Sequence, residues 1–359
     1  MRRDRPAAVT GAICALLSIV AFVVAARQKP QWRIQVTPKE AERRVDIAID
    51  GKPFTSYIWP DTLKKPVLFP LRSAQGTIVT RGFPLEPRAG ERVDHPHHAG
   101  MWFNYGDVNG LDFWNNSDAI KPEQRPKMGT ILHRKIVATT SGNDNGELSV
   151  EMEWVNAEGK ALLLEQTRFV FAGDSNSRTI DRITTLTALD EKVAFTDNKE
   201  GVIGIRVARS LEMPSDKPEI FTDASGRPTA VAKMDNTGVS GNYLTSEGKT
   251  GDAAWGTPGR WCILTGTVSG DPVTMAIFDH PKNPGFPTYW HARGYGLFAA
   301  NPLGRAVFSN GKEALNFQLA PKASATFQYR VVIASGTMSP ENAEAVFKAF
   351  SQTTPVRSQ

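Results

Sequence analysis

The stretch "LSVEMEW", residues 148–154, alternates Leu148, Val150, Met152 and Trp154 with Ser149, Glu151 and Glu153. A period of two sends the apolar side chains to one face and the polar ones to the other, the pattern of a half-buried β-strand. "VDIAID" (45–50) and "FQYRVVI" (327–333) repeat it, the latter with Phe327, Tyr329, Val331 and Ile333 on one face. Turn signals, "IDGKP", "SGNDNGE", "AGDSNSR" and "SNGKE", separate such runs at short intervals, which suits antiparallel sheets and not βαβ units. Helical period is scarce. One helix is predicted over "SPENAEAVFKAFSQ" (339–352), with Ser339 as N-cap, Pro340 at the first helical position, and Ala345, Phe347 and Phe350 toward a core. Without internal repeats or low-complexity linkers, residues 31–355 read as one all-β domain, a large antiparallel two-sheet sandwich with a C-terminal covering helix.

The first 30 residues stand apart. "MRRDRP" is a basic leader to the uncharged, mostly apolar run 7–26, which ends in small residues before Arg27, as an export signal or a single N-terminal anchor does. The rest of the chain is therefore expected to be exported, periplasmic or extracellular, touching a membrane only through residues 7–26 if these are kept. Cys14 follows Ile13, where a lipoprotein signal needs a small residue, so no lipid anchor is read. Cleavage after Ala26 would remove Arg2, Arg3, Arg5 and Asp4 and bring the net charge from +5 to about +3. No block of Lys/Arg and no basic helix supports nucleic-acid binding, and no obligate protein partner is implied. Cys262 alone remains outside the leader, so no intrachain disulfide is expected there.

Chemistry concentrates at the histidines. "DHPHHAGMWF" (94–103) holds His95, His97 and His98, while "IFDHPKNPGFPTYWHARGYGLF" (277–298) holds Asp279, His280, Tyr289, Trp290, His291 and Arg293; only His133 lies outside. Proline after His95 and after His280 favours extended backbone, which would put His95 and His97 on one face and His98 on the other. "FTDNKEGVIGIRVA" (195–208) brings Lys199 and Glu200 at a turn, then Arg206 interrupting an apolar strand. A buried arginine needs either a structural carboxylate or a ligand. Trp102, Trp114, Trp255, Trp261 and Trp290 lie in turn-prone segments; core packing accounts for at least half of them, and the rest suit the apolar face of a sugar. No GxSxG, HExxH, Walker loop or GxGxxG is present, which disfavours the corresponding chemistries.

Three functions fit. The first is acid–base chemistry on a carbohydrate or glycan (hydrolysis, lysis or epimerisation): His95 or His98 as acid, Glu200 or Asp279 as base, with His280 and His291 also candidate catalytic groups. His97, Lys199, Arg206, Asn104, Tyr289 and Arg293 would bind hydroxyls, and Trp102, Trp255 or Trp290 would stack on the ring. The second is a divalent-metal enzyme using His95, His97, His280 and Glu200; no other cofactor is expected. The third is a non-catalytic glycan-binding module.

Four blocks together, "DHPHHAGMWFNYGDVNGLDFW" (94–114), "DNKEGVIGIRVA" (197–208), "SEGKTGDAAWGTPGRWC" (246–262) and "IFDHPKNPGFPTYWHARGYGLFAANPLG" (277–304), resemble the exported bacterial PmoA-like family, DUF6807. The family label borrows the name of a methane monooxygenase subunit that crosses the membrane many times. This chain has one apolar run, so methane oxidation is not implied. The resemblance implies a relationship to galactose-mutarotase-like supersandwiches, whose members bind, epimerise or cleave carbohydrate.

Overall fold

The computed structural model describes Met1, residues 31–233 and residues 235–353. The leader, Cys14 and the apolar run 7–26 lie outside the described residues, among which no helix is long and apolar enough to cross a membrane. Two large antiparallel sheets face each other. In one, strands run in the order Tyr289–Arg293, Leu297–Asn301, Gly201–Arg206, Met101–Tyr105, Val67–Leu68, Lys52–Ile58, Arg44–Ile49, Arg33–Lys39 and Gly142–Asn143. In the other the order is Asn242–Thr245, Trp261–Val268, Asp271–Asp279, Ser324–Ser335, Ser177–Ala188, Ala161–Gly173, Gly146–Val155 and Thr130–Thr140. Residues from Trp32 onward form one compact unit.

Alternation does what its period requires. Leu148, Val150, Met152 and Trp154 are buried between the sheets together with Val45, Ile47, Ile49, Phe327, Tyr329, Val331 and Ile333. The inward row of Ser177–Ala188 also carries Arg182. Its guanidinium donates to Glu165 at 2.6 Å and Thr184 at 2.9 Å, and lies over the rings of Phe103 and Phe169. Trp154 Nε1 donates to the second Glu165 oxygen at 2.7 Å, so both oxygens of this buried carboxylate are hydrogen-bonded.

The helix runs Pro340–Ser351, capped by the Ser339 hydroxyl accepting from the Asn342 amide at 3.2 Å. Its buried row is Ala343, Phe347 and Phe350; Ala345, expected on that row, is exposed, because positions 343, 347 and 350 keep the 3.6-residue spacing. The helix covers Trp261, Ile263, Phe278 and Val332 on the outer face of the eight-stranded sheet.

The outer face of the nine-stranded sheet is covered instead by loops, at the end formed by Tyr289–Arg293. In register across four strands lie Trp102, Gly204, Ala299 and His291, with Arg206, Leu297 and Arg293 as the adjoining row. A Cβ at Gly204 would sit 2.6 Å from the Trp102 indole, so glycine there lets the ring lie flat across its neighbouring strand.

Removing one partner of the core pair leaves a buried charge without compensation. Glu165→Leu is expected to lower the unfolding free energy by about 3–5 kcal/mol, and Glu165→Leu combined with Arg182→Met to recover most of it, measured by urea unfolding.

Candidate functional site

Arg81 organises the histidine segment. Its side chain is 1% exposed and collects the backbone carbonyls of Asp94 (2.9 Å), His95 (3.0 Å), His98 (3.0 Å) and Arg92 (3.3 Å), together with the Asp94 carboxylate. These bonds bend the backbone: His95 takes φ +41° and the His98 amide donates back to the His95 carbonyl at 2.9 Å. The expected extended stretch is thus a reverse turn, and His98 is not on a face of its own. All three imidazoles meet, His95 and His98 face to face at 4.9 Å, His97 edge-on to His98 at 4.3 Å.

The stack continues on both sides. Trp102, His98, His95 and Tyr295 form a column of near-parallel rings at 5.1, 4.9 and 5.1 Å. Arg206, wholly buried, lies over Tyr295 at 4.8 Å and donates to Asp94 Oδ1 at 2.7 Å. Another of its nitrogens is 3.4 Å from His98 Nδ1. Guanidinium can only donate, which makes His98 Nδ1 the acceptor and puts the His98 proton on Nε2. That Nε2 is buried without a partner, as is His97 Nε2, while the His97 carbonyl accepts from the buried Lys65 ammonium at 2.8 Å.

The Asp94 carboxylate is shared. Arg81 and Arg206 hold Oδ1, and Oδ2 accepts from His95 Nδ1 at 2.8 Å. Burial alone would raise its pKa, but the His95 hydrogen bond and the charges of Arg206 and Arg81 hold it well below the usual carboxylate range. With Nδ1–H committed to Asp94, neutral His95 presents an unprotonated Nε2, and its side chain is 42% exposed.

The other wall comes from the turn before Gly201–Arg206 and from Tyr289–Arg293. Asp197 fixes that turn by accepting the amides of Ala306, Leu315 and Asn316. Glu200 then pairs with Lys199 and places Oε2 3.7 Å from His291 Nδ1. Burial first, then Arg293 and Lys199, push the His291 pKa down to about 3. Tyr295 stands between the walls: burial and the carboxylates of Glu200 and Asp94 raise its pKa against Arg206 and Arg293. Tyr289 stacks on Phe308 at 5.2 Å, and Arg293 lies on Trp255 at 4.8 Å, at the rim.

Of the residues singled out in the sequence, His95, His97, His98, Glu200, His291, Lys199 and Arg206 come together, with Tyr289, Trp255 and Arg293 beside them. Asp279 and His280 do not. Asp279 accepts from Asn283 Nδ2 and the Thr288 amide, and His280 packs on Phe350 of the terminal helix. Trp290 is buried in the core between the sheets, so it offers no face to a ligand. Trp102 is covered by His98 and Trp114, and Asn104, fully buried, donates to the Phe113 carbonyl at 2.6 Å; both support the site from beneath. The metal set of His95, His97, His280 and Glu200 is not assembled. His280 is elsewhere, His95 and His98 stack in parallel planes, and among the described residues no three His, Cys, Asp or Glu groups converge for an ion.

Arg81, Tyr295, Lys65 and Phe308 are the site residues that sequence reasoning missed. Each is a single residue in an unremarkable local context. Asp94, beside His95, was visible only as a neighbour.

The chain belongs to the family of unknown function DUF6807, whose model matches residues 44–348. No curated protein sequence matches it. Among solved structures it is similar to a galactose mutarotase-like protein from Clostridium acetobutylicum, at 10% identity over 85% of this chain and 99% of that one, with a TM-score of 0.39. It is also similar to the GH36 α-galactosidase AgaB from Geobacillus stearothermophilus, at 12% identity over 84% of this chain and 41% of that one, TM-score 0.35. A third is a Glycoside Hydrolase Family 97 enzyme from Pseudoalteromonas sp. strain K8, at 10% identity over 84% and 34%, TM-score 0.28. The chain thus spans less than half of either glycosidase chain.

The buried histidines set a pH dependence. Burial and nearby cations lower the folded-state pKa of His97 to about 2 and of His291 to about 3, and hold His98 well below its ordinary value. Unfolded histidine titrates near ~6.5, so as pH falls the unfolded state takes up protons first. Stability is then full above about pH 6.5 and declines below it, by up to ~1.4 kcal/mol per pH unit for each of these rings. Urea unfolding across this range should show the decline, and His97→Asn should reduce its slope by one proton.

Proposed function

We propose that this DUF6807 protein is an exported, carbohydrate-directed acid–base enzyme in which His95, oriented by Asp94, exchanges a proton with the ligand. The observation that carries the reading is the Asp94–His95 hydrogen bond at 2.8 Å, with the carboxylate anchored by two buried arginines and the His95 side chain 42% exposed. A carboxylate on Nδ1 fixes the tautomer, aims Nε2 and stabilises the imidazolium that forms when Nε2 takes a proton. Glu200 and His291, across Tyr295, supply the second proton-transfer group, with Lys199 setting the carboxylate.

A sugar suits the groups around this pair. Hydroxyls donate and accept, and the accessible side chains of His95, Lys199 and Glu200 offer both kinds of partner. The half-buried rings of Tyr295, Tyr289 and Trp255 lie around them. The carboxylates favour proton transfer, as in epimerisation or lysis, over hydrolysis by a carboxylate pair. Hydrolysis of that kind needs two carboxyl groups free to act on the substrate, and Asp94 is committed to Arg81, Arg206 and His95.

The test is nuclear magnetic resonance of neutral and acidic mono- and oligosaccharides incubated with the full chain in deuterated water, which reads anomer exchange, carbon-bound proton exchange, elimination and hydrolysis in one experiment. Turnover should fall by about 10²–10⁴-fold in His95→Asn, with Asp94→Asn also impaired. Absence of turnover across the panel, or a rate that His95→Asn leaves intact, overturns the reading.

A further inference from the structure

We propose that Arg293 anchors a carboxylate of the ligand, so that the substrate class is an acidic sugar, a uronate; this rests on the reading of the site as a sugar-directed acid–base centre. The neighbouring arginines are all committed: Arg81 and Arg206 to Asp94, Arg92 to Glu212 and Glu219, Arg209 to Glu212. Arg293 alone of this group has no carboxylate within ion-pair distance among the described residues. Its guanidinium rests on Trp255 at 4.8 Å, and its Nε is buried with no hydrogen-bond partner.

An arginine partly stripped of water and left unpaired costs stability, and a planar ligand anion satisfies it best. Backed by an indole, the guanidinium presents a rigid fork that matches a carboxylate bidentately. A hydroxyl would satisfy one donor and leave the charge unanswered.

The position suits a single sugar ring. Arg293 lies on the same sheet face as His291, two residues away, and is separated from Arg206 by one strand through Leu297. Two strand spacings put the Arg206 and Arg293 backbones about 10 Å apart. Tyr295, which stacks on His95, feels the charges of both Arg206 and Arg293. A carboxylate held at Arg293 would therefore belong to a molecule whose ring lies beside the proton-transfer groups.

The experiment is calorimetric titration of the full chain with glucuronate and galacturonate beside glucose and galactose, and with oligosaccharides of each. The acidic sugars should bind about tenfold or more tightly than their neutral counterparts, and the preference should weaken with added salt. Arg293→Gln should abolish the preference, and Arg293→Lys should keep part of it. Equal affinity for the two classes, or a preference that survives Arg293→Gln, overturns the proposal, as does failure of every sugar to bind. His95-dependent turnover without an acidic preference would refute this inference alone. An Arg293-dependent preference without turnover would refute the acid–base reading alone.

Discussion

Two buried guanidinium groups, Arg81 and Arg206, share one carboxylate oxygen of Asp94. Neither could be buried alone, because each would leave a desolvated charge costing several kcal/mol. Asp94 offsets both, and Arg81 adds the carbonyls of Arg92, Asp94, His95 and His98. That collection of carbonyls holds a conformation the local sequence disfavours: a residue before proline avoids the helical regions, yet His95 has φ +41°. The site geometry follows from this cluster. Once the turn is bent, His98 lies on Trp102, His95 on His98 and Tyr295 on His95, and Arg206 closes the column over Tyr295.

The fold was legible because its signal is local. Residues two apart share a face of a strand whatever lies elsewhere, so "LSVEMEW" and "FQYRVVI" disclosed the sandwich. The helix was legible in extent and capping, and only its buried row shifted, from Ala345 to Ala343. The site was half legible. Three histidines within four positions marked one wall, and Arg206 marked itself by interrupting an apolar row. Arg81 left no such mark: it stands in "TRGF", 13 residues before Asp94, and its role depends on a contact between segments that no periodicity records.

The repeated tripeptide shows why local resemblance misleads. "DHP" occurs at 94–96 and at 279–281. At the first, the aspartate meets two arginines from other segments and becomes the centre of the site. At the second, it accepts from Asn283 and the Thr288 amide and closes its own loop, and the histidine packs under the terminal helix. Identical residues thus serve opposite ends because the partners differ. Asp279 shows the consequence in its titration: burial without a cationic partner raises its pKa to about 7, while Asp94 is held far down.

The tryptophans tell a related story. Composition suggested stacking platforms for a ligand, but Trp102 and Trp114 are buried against a histidine instead, Trp102 stacked on His98 and Trp114 edge-on to it. Their effect is to limit the freedom of the imidazoles, since a ring held between parallel rings cannot tilt without losing contact on both faces. Of the three clustered histidines, His97 and His98 are closed in among cations, where a second proton would be opposed by burial and by charge. His95 keeps access to solvent and has a carboxylate on its other nitrogen, so its positive form would meet an opposite charge directly. The motif therefore holds one solvent-accessible ring, His95, against two buried ones.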